Sequence, residues 1–179
     1  MFNGDPYDSD LSIPNPPPGK NFLSDWLPRH MPDTVQPIVD KFVDAVLKKF
    51  SPEYVATIGY CYGAKFAVQQ IGNGKANVAA MAHPSLVSIE EIAAIKAPLL
   101  IIGAEKDHVY NDELRKKTED KLKEIKATYF TTTASGVSHG FALRGDLSSE
   151  SVKFAKEKAF TDSLQWFERF APKTTGTHL

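Results

Sequence analysis

The chain has 179 residues, 42% hydrophobic and 24% charged, the composition of a soluble globular protein and enough to bury one substantial core. Its 21 basic and 22 acidic residues leave a net charge of −1 with no clustered basic stretch, which argues against nucleic acid as a partner. No apolar run approaches the roughly 18 residues of a membrane span, and Met1–Pro6 lacks the basic start and apolar stretch of an export signal. With a single cysteine, Cys61, the expectation is a reducing, cytoplasmic setting.

One domain is expected over 1–179, with 1–32 as a lead-in segment. That segment holds seven of the twelve prolines, which remove backbone donors and fix φ, so an extended path is expected there. From Asp33, Val35, Ile38, Val39, Phe42, Val43, Val46, Leu47 and Phe50 recur at three- and four-residue steps. They predict an amphipathic helix capped by Asp33 or Thr34, with Pro37 in its first turn and Ser51-Pro52 at its end.

The apolar run Tyr54–Ile58 reads as a strand, and a helix is expected from Gly63 to about Gly72. Further strands are expected at 77–82, 98–103 and 127–133; the one at 98–103 is almost wholly apolar, as strands covered on both faces are, and the one at 127–133 is β-branched and aromatic. Between them, Ser88 and Glu91 predict a capping box on a short helix, and a charged helix follows Asn111. A loop with Gly136 and His139 leads to a last helix over about 149–170, with Val152, Ala155, Ala159, Phe160, Leu164, Phe167 and Phe170 expected inside. The alternation predicts a mostly parallel sheet of about four strands with helices on both faces.

Between the first strand and its helix stands Gly59-Tyr60-Cys61-Tyr62-Gly63. This is the strand–turn–helix spacing of a nucleophile elbow with cysteine in the nucleophile position. A Cβ at either glycine is expected to clash with the helix packed beneath. In open α/β sheets chemistry collects at the carboxyl ends of strands. Asp107 follows the third strand and His139 the fourth, so nucleophile, acid and histidine occur in the order of the α/β-hydrolases. Cys61 would attack a carbonyl as thiolate, His139 would exchange protons, and Asp107 would orient the imidazole. The backbone N–H of Tyr62 would be one oxyanion donor.

Taken together, Gly59–Lys65 (G-Y-C-Y-G-A-K), Gly103–Val109 (G-A-E-K-D-H-V) and Ser135–Asp146 (S-G-V-S-H-G-F-A-L-R-G-D) resemble the dienelactone hydrolase family, in its eukaryotic, fungal branch. The resemblance runs from about Gly4 to Phe170. It implies an α/β-hydrolase fold, Cys61, Asp107 and His139 as the triad, and a small ester, lactone or thioester as substrate, with no cofactor. It also implies about four further strands ahead of the point where Met1–Pro6 would align, including the loop with the second oxyanion donor. The chain is therefore expected to lack that part and to expose one edge of its first strand to self-association.

Two functional readings follow: a cysteine hydrolase, or a catalytically impaired remnant that binds a small molecule or a partner chain. For substrate contacts the candidates are Arg144, as an anion anchor or in a surface pair with Asp146, and His83, as a pocket wall or a structural histidine. Tyr60 beside the nucleophile is a third. No His, Cys or carboxylate set shows metal-ligand spacing.

Overall fold

A computed structural model describes Asp5 and residues 22–173 and divides the chain into two compact units, Met1–Pro52 and Glu53–Leu179. Most of the proline-rich lead-in lies outside the described residues.

In the first unit, residues 22–30 are not extended, as the prolines suggested, but form one π turn (Phe22–Trp26) and one 3-10 turn (Leu27–His30). The Trp26 indole N–H donates to the Asp5 carbonyl at 2.9 Å, and the His30 ring stacks on Trp26 at 3.9 Å. Helix α1 spans Pro32–Phe50. Neither Asp33 nor Thr34 caps it. Pro32 starts the helix earlier than expected, Met31 occupies the cap position without a side-chain bond, and Pro37 falls inside the helix. Ser51, with φ at 42°, closes it in a left-handed turn whose N–H donates to the Leu47 carbonyl. Of the expected apolar stripe Val35 and Val39 are buried, whereas Phe42 and Phe50 are exposed.

The second unit carries the sheet: β1 (Ala56–Tyr60), β2 (Val78–Ala82), β3 (Leu99–Lys106) and β4 (Tyr129–Ser138). All pairings are parallel, in the order β1-β2-β3-β4. Helices α2 (Gly63–Gly72), α3 (Ile89–Ala93), α4 (Asp112–Glu124), α5 (Phe141–Arg144) and α6 (Glu150–Phe170) complete it.

Two cores lie on opposite faces of the sheet, and the two-residue period of the strands divides them. Ala79, Met81, Leu99 and Ile101 point to the side where Val68 and Ile71 of α2, Ile92 of α3 and Leu122 of α4 pack. Their alternates Ala80, Ala82, Leu100 and Ile102 meet Phe141 of α5 and Ala155 and Ala159 of α6. The predicted capping box is present, with the Glu91 N–H donating to the Ser88 hydroxyl at 3.3 Å and the Ser88 N–H to the Glu91 carboxylate at 2.8 Å.

Two expectations are corrected. First, β4 runs to Ser138, so Gly136 lies within a strand and the chain carries His139 directly from a strand end. Second, α6 buries Ala155, Ala159 and Ser163, while Phe154, Phe160 and Leu164 are exposed. The helix approaches the sheet through its small residues, which allow close packing, with Phe167 and Trp166 partly buried against the same core.

Candidate active site

The site starts from backbone strain at the end of β1. Cys61 has φ at 50°, in the left-handed region that side chains other than glycine rarely adopt. Both its backbone groups are fixed: its N–H donates to the Ala82 carbonyl at 3.1 Å, and its carbonyl accepts from the N–H groups of Ala64 and Ser85 at 3.1 and 3.0 Å. The elbow is thereby stitched to the end of β2, and the sulfur is raised above the sheet.

The two elbow glycines are not equivalent. A Cβ on Gly59 would lie 2.3 Å from the Gly63 carbonyl oxygen and 2.5 Å from the Ala64 Cα, both backbone atoms. On Gly63 it would meet nothing within 4 Å, which overturns the expected clash there. The close approach is made by α2 onto Gly59; Gly63 offers its carbonyl to that contact, and its own open side faces away.

At the end of β3, Asp107 divides its carboxylate. Oδ1 accepts from the N–H groups of Val109 and Tyr110, each at 2.9 Å, and Oδ2 lies 2.8 Å from His139 Nδ1. His139 is held past β4 by its N–H donating to the Lys106 carbonyl at 3.1 Å. Its Nε2 sits 3.2 Å from Cys61 Sγ. The structure therefore brings Cys61, His139 and Asp107 into one line of contacts from three different strand ends.

This arrangement separates charge. Burial pushes the Cys61 thiol up, but the bonds that His139 and Ser85 make at the sulfur outweigh it and bring the thiol down to about 5. Burial pushes the His139 imidazolium down, and the bonds to Asp107 and Cys61 raise it to about 9. Burial also opposes ionisation of Asp107, yet His139 and the Tyr110 and Val109 N–H groups hold its carboxyl below the usual range. A thiolate–imidazolium pair thus spans neutral pH.

His83 follows β2 with φ at 38°, is fully buried, and has neither ring nitrogen in a hydrogen bond. Its ring packs 5.1 Å from that of His139 and 6.1 Å from that of Tyr60. Tyr60 also lines a cavity of about 530 Å³ with Ala142, Leu147, Ala159, Phe160, Lys153, Lys156 and Glu157. Tyr62 occupies the cap position of α2, its ring 5.1 Å from Phe66. Arg144 ends α5, exposed to solvent. It does not pair with Asp146, whose carboxylate instead accepts the Ser148 N–H at 2.9 Å.

Sequence reasoning missed Ser85. Its hydroxyl lies 3.4 Å from Cys61 Sγ and 3.4 Å from His139 Nε2. The signal was available, since Ser85 is a polar residue just past a strand end, as Asp107 and His139 are. It also missed the brace behind the site: Lys65 Nζ donates to the Leu86 carbonyl at 3.1 Å and to the Glu91 carboxylate at 2.7 Å. Among the described residues no group of three or more His, Cys, Asp or Glu side chains is placed to hold a metal ion, and no helix is long and apolar enough to cross a membrane.

With this geometry in place, comparison with known proteins is decisive on kinship. The family model for the dienelactone hydrolase family matches residues 18–171. The chain belongs to the dienelactone hydrolase family. Hydrolase tropI of Talaromyces stipitatus is 36% identical over 154 residues, 86% of this chain and 58% of that protein. Hydrolase pyvD of Aspergillus violaceofuscus is 32% identical over 173 residues, 97% of this chain and 68% of that protein. This dienelactone hydrolase family chain therefore spans 58% to 68% of the length of these fungal relatives. Among solved structures, a Klebsiella pneumoniae protein provisionally described as a dienelactone hydrolase superposes with a TM-score of 0.66 at 15% identity, covering 77% of this chain and 62% of that one. The acylaminoacyl peptidase of Pyrococcus horikoshii gives 0.62 at 14%, covering 80% of this chain and 28% of that one. These two likenesses establish the α/β-hydrolase fold of the sheet and its helices.

Proposed function

We propose that this family member is a hydrolase of small esters, lactones or thioesters that works through a Cys61 acyl-enzyme. The observation that carries the reading is the chain of contacts from Sγ to His139 at 3.2 Å and from His139 to Asp107 at 2.8 Å. The Cys61 thiolate adds to the substrate carbonyl carbon, and the oxyanion that forms accepts the Tyr62 backbone N–H. The His139 imidazolium then gives its proton to the departing alkoxide or thiolate as the carbon–oxygen or carbon–sulfur bond breaks. Neutral His139 next takes a proton from water, whose oxygen adds to the acyl carbon, and the Cys61 thiolate leaves with the free acid. Asp107 keeps the imidazole in one orientation throughout. Tyr60 and His83 would wall the acyl side, and Arg144, free of Asp146, would hold an anionic substituent.

The test is turnover of a p-nitrophenyl ester with mass analysis of the protein. Wild type is expected to show an acyl adduct on Cys61 and a rate that rises through about pH 5 and falls through about pH 9, as the thiolate forms and the imidazolium is lost. Cys61→Ala removes both. Absence of turnover and of adduct in the wild type sinks this reading in favour of a binding remnant. That second reading draws on β1, which among the described residues pairs only with β2.

A further inference from the structure

Two polar side chains from the turn after β2 stand among the catalytic contacts, Ser85 at the Cys61 sulfur and His83 against the His139 ring, and the proton transfers above do not use them. Ser85 has its hydroxyl 3.4 Å from Sγ. Its backbone N–H donates to the Cys61 carbonyl at 3.0 Å, so the spacing between the two residues is set by main chain. His83 is completely buried, wedged between the rings of His139 at 5.1 Å and Phe141 at 5.5 Å. Neither of its ring nitrogens has a hydrogen-bond partner, and its backbone is left-handed at φ 38°. A buried imidazole without a bond, held on a strained backbone, is costly twice over, and such a pairing of costs collects at functional sites.

The turn is built to stay where it is. Leu86, also left-handed at φ 60°, gives its carbonyl to Lys65 Nζ at 3.1 Å, and Lys65 is itself paired to Glu91. The helix that carries Lys65 begins two residues after Cys61, so nucleophile and turn are tied together from behind as well as across the sheet. A thiol needs one acceptor for its proton, whereas a thiolate takes several donors, and the nearby donors outnumber what a thiol can use.

We propose that Ser85 is a positioning residue that holds Cys61 as a thiolate: its hydroxyl donates to Sγ beside His139. This rests on the reading of Cys61 as the nucleophile and deepens it. His139 gives up its proton to the first leaving group and regains one from water, so its own bond to the sulfur changes through the cycle. A donor that takes no part in those transfers stays at the sulfur both when the thiolate attacks and when it leaves. The lowered thiol pKa agrees, since burial opposes it and His139 and Ser85 favour it.

The experiment follows the rate of Cys61 reaction with 4,4′-dithiodipyridine against pH in the whole chain, for wild type, Ser85→Ala and Ser85→Thr. Ser85→Ala should cut the thiolate fraction below the midpoint by roughly tenfold, a shift of about one pH unit, and Ser85→Thr should restore it. A midpoint near 5 in wild type that Ser85→Ala does not move overturns the proposal, as does a wild-type midpoint near 9. Either result leaves the nucleophile reading standing, which fails only if Cys61 takes no acyl group.

Discussion

Replacing His139 by alanine tests the electrostatics of the site through a reversal that a merely structural histidine would not produce. In the wild type the thiol titrates at about 5, against an ordinary value of 9.0. With His139 gone, the burial that opposes ionisation loses its strongest opponent, and the midpoint should climb several units toward the ordinary value. In that limit the thiolate fraction at pH 7 falls from about 99% to about 1%, roughly 100-fold. A more basic thiolate is intrinsically the better nucleophile, with a Brønsted slope of about 0.4–0.5, so four units return roughly 40–100-fold. At pH 7 the two effects nearly cancel, and a single rate there would mislead. At pH 5.5 population dominates and the variant should react about 20–60-fold more slowly; above pH 10 both are ionised and it should react roughly 40–100-fold faster. Crossing profiles with 4,4′-dithiodipyridine are the expected result. A midpoint still within one unit of 5 in the variant would refute the reasoning, because the sulfur would then owe its acidity to something other than His139.

The elbow glycines should part company. Gly59→Ala forces a Cβ against backbone atoms and should cost about 3 kcal/mol, near the upper end of ordinary overpacking, lowering Tm by roughly 10 °C. Gly63→Ala adds a better helix former in open space and should be neutral or stabilising by up to about 0.5 kcal/mol; urea midpoints at constant slope read both, and equal costs would contradict the contact geometry. Self-association through β1 is proposed from the edge that, among the described residues, pairs with no strand, where Ile58 is 39% exposed. Light scattering should show mass rising with concentration, and Ile58→Lys should abolish the rise. A wild-type monomer with strongly protected amides at Val55–Ile58 would count against it.

What the sequence by itself determined is the list of elements and the chemistry at their ends. Period-two and period-3.6 patterns follow from backbone geometry alone, so the strands ending near Cys61, Asp107 and His139 were legible, as was the Ser88–Glu91 capping box. The sequence also held the marks of kinship, in the elbow and in the block around His139. Local signals were weaker where two neighbouring residues could serve the same end, hence the cap of α1, which begins at Pro32 rather than after Asp33 or Thr34. Only the tertiary structure decided which side of a helix meets the sheet: α6 packs through Ala155, Ala159 and Ser163 because close approach favours small residues, leaving Phe160 outside. It likewise decided that Gly59 alone bears the weight of α2, that Ser85 stands at the sulfur, and that His83 packs against the ring of His139. Those are distances between residues far apart in the chain. No pattern along a sequence encodes them; they exist only once parallel strands set several carboxyl ends side by side.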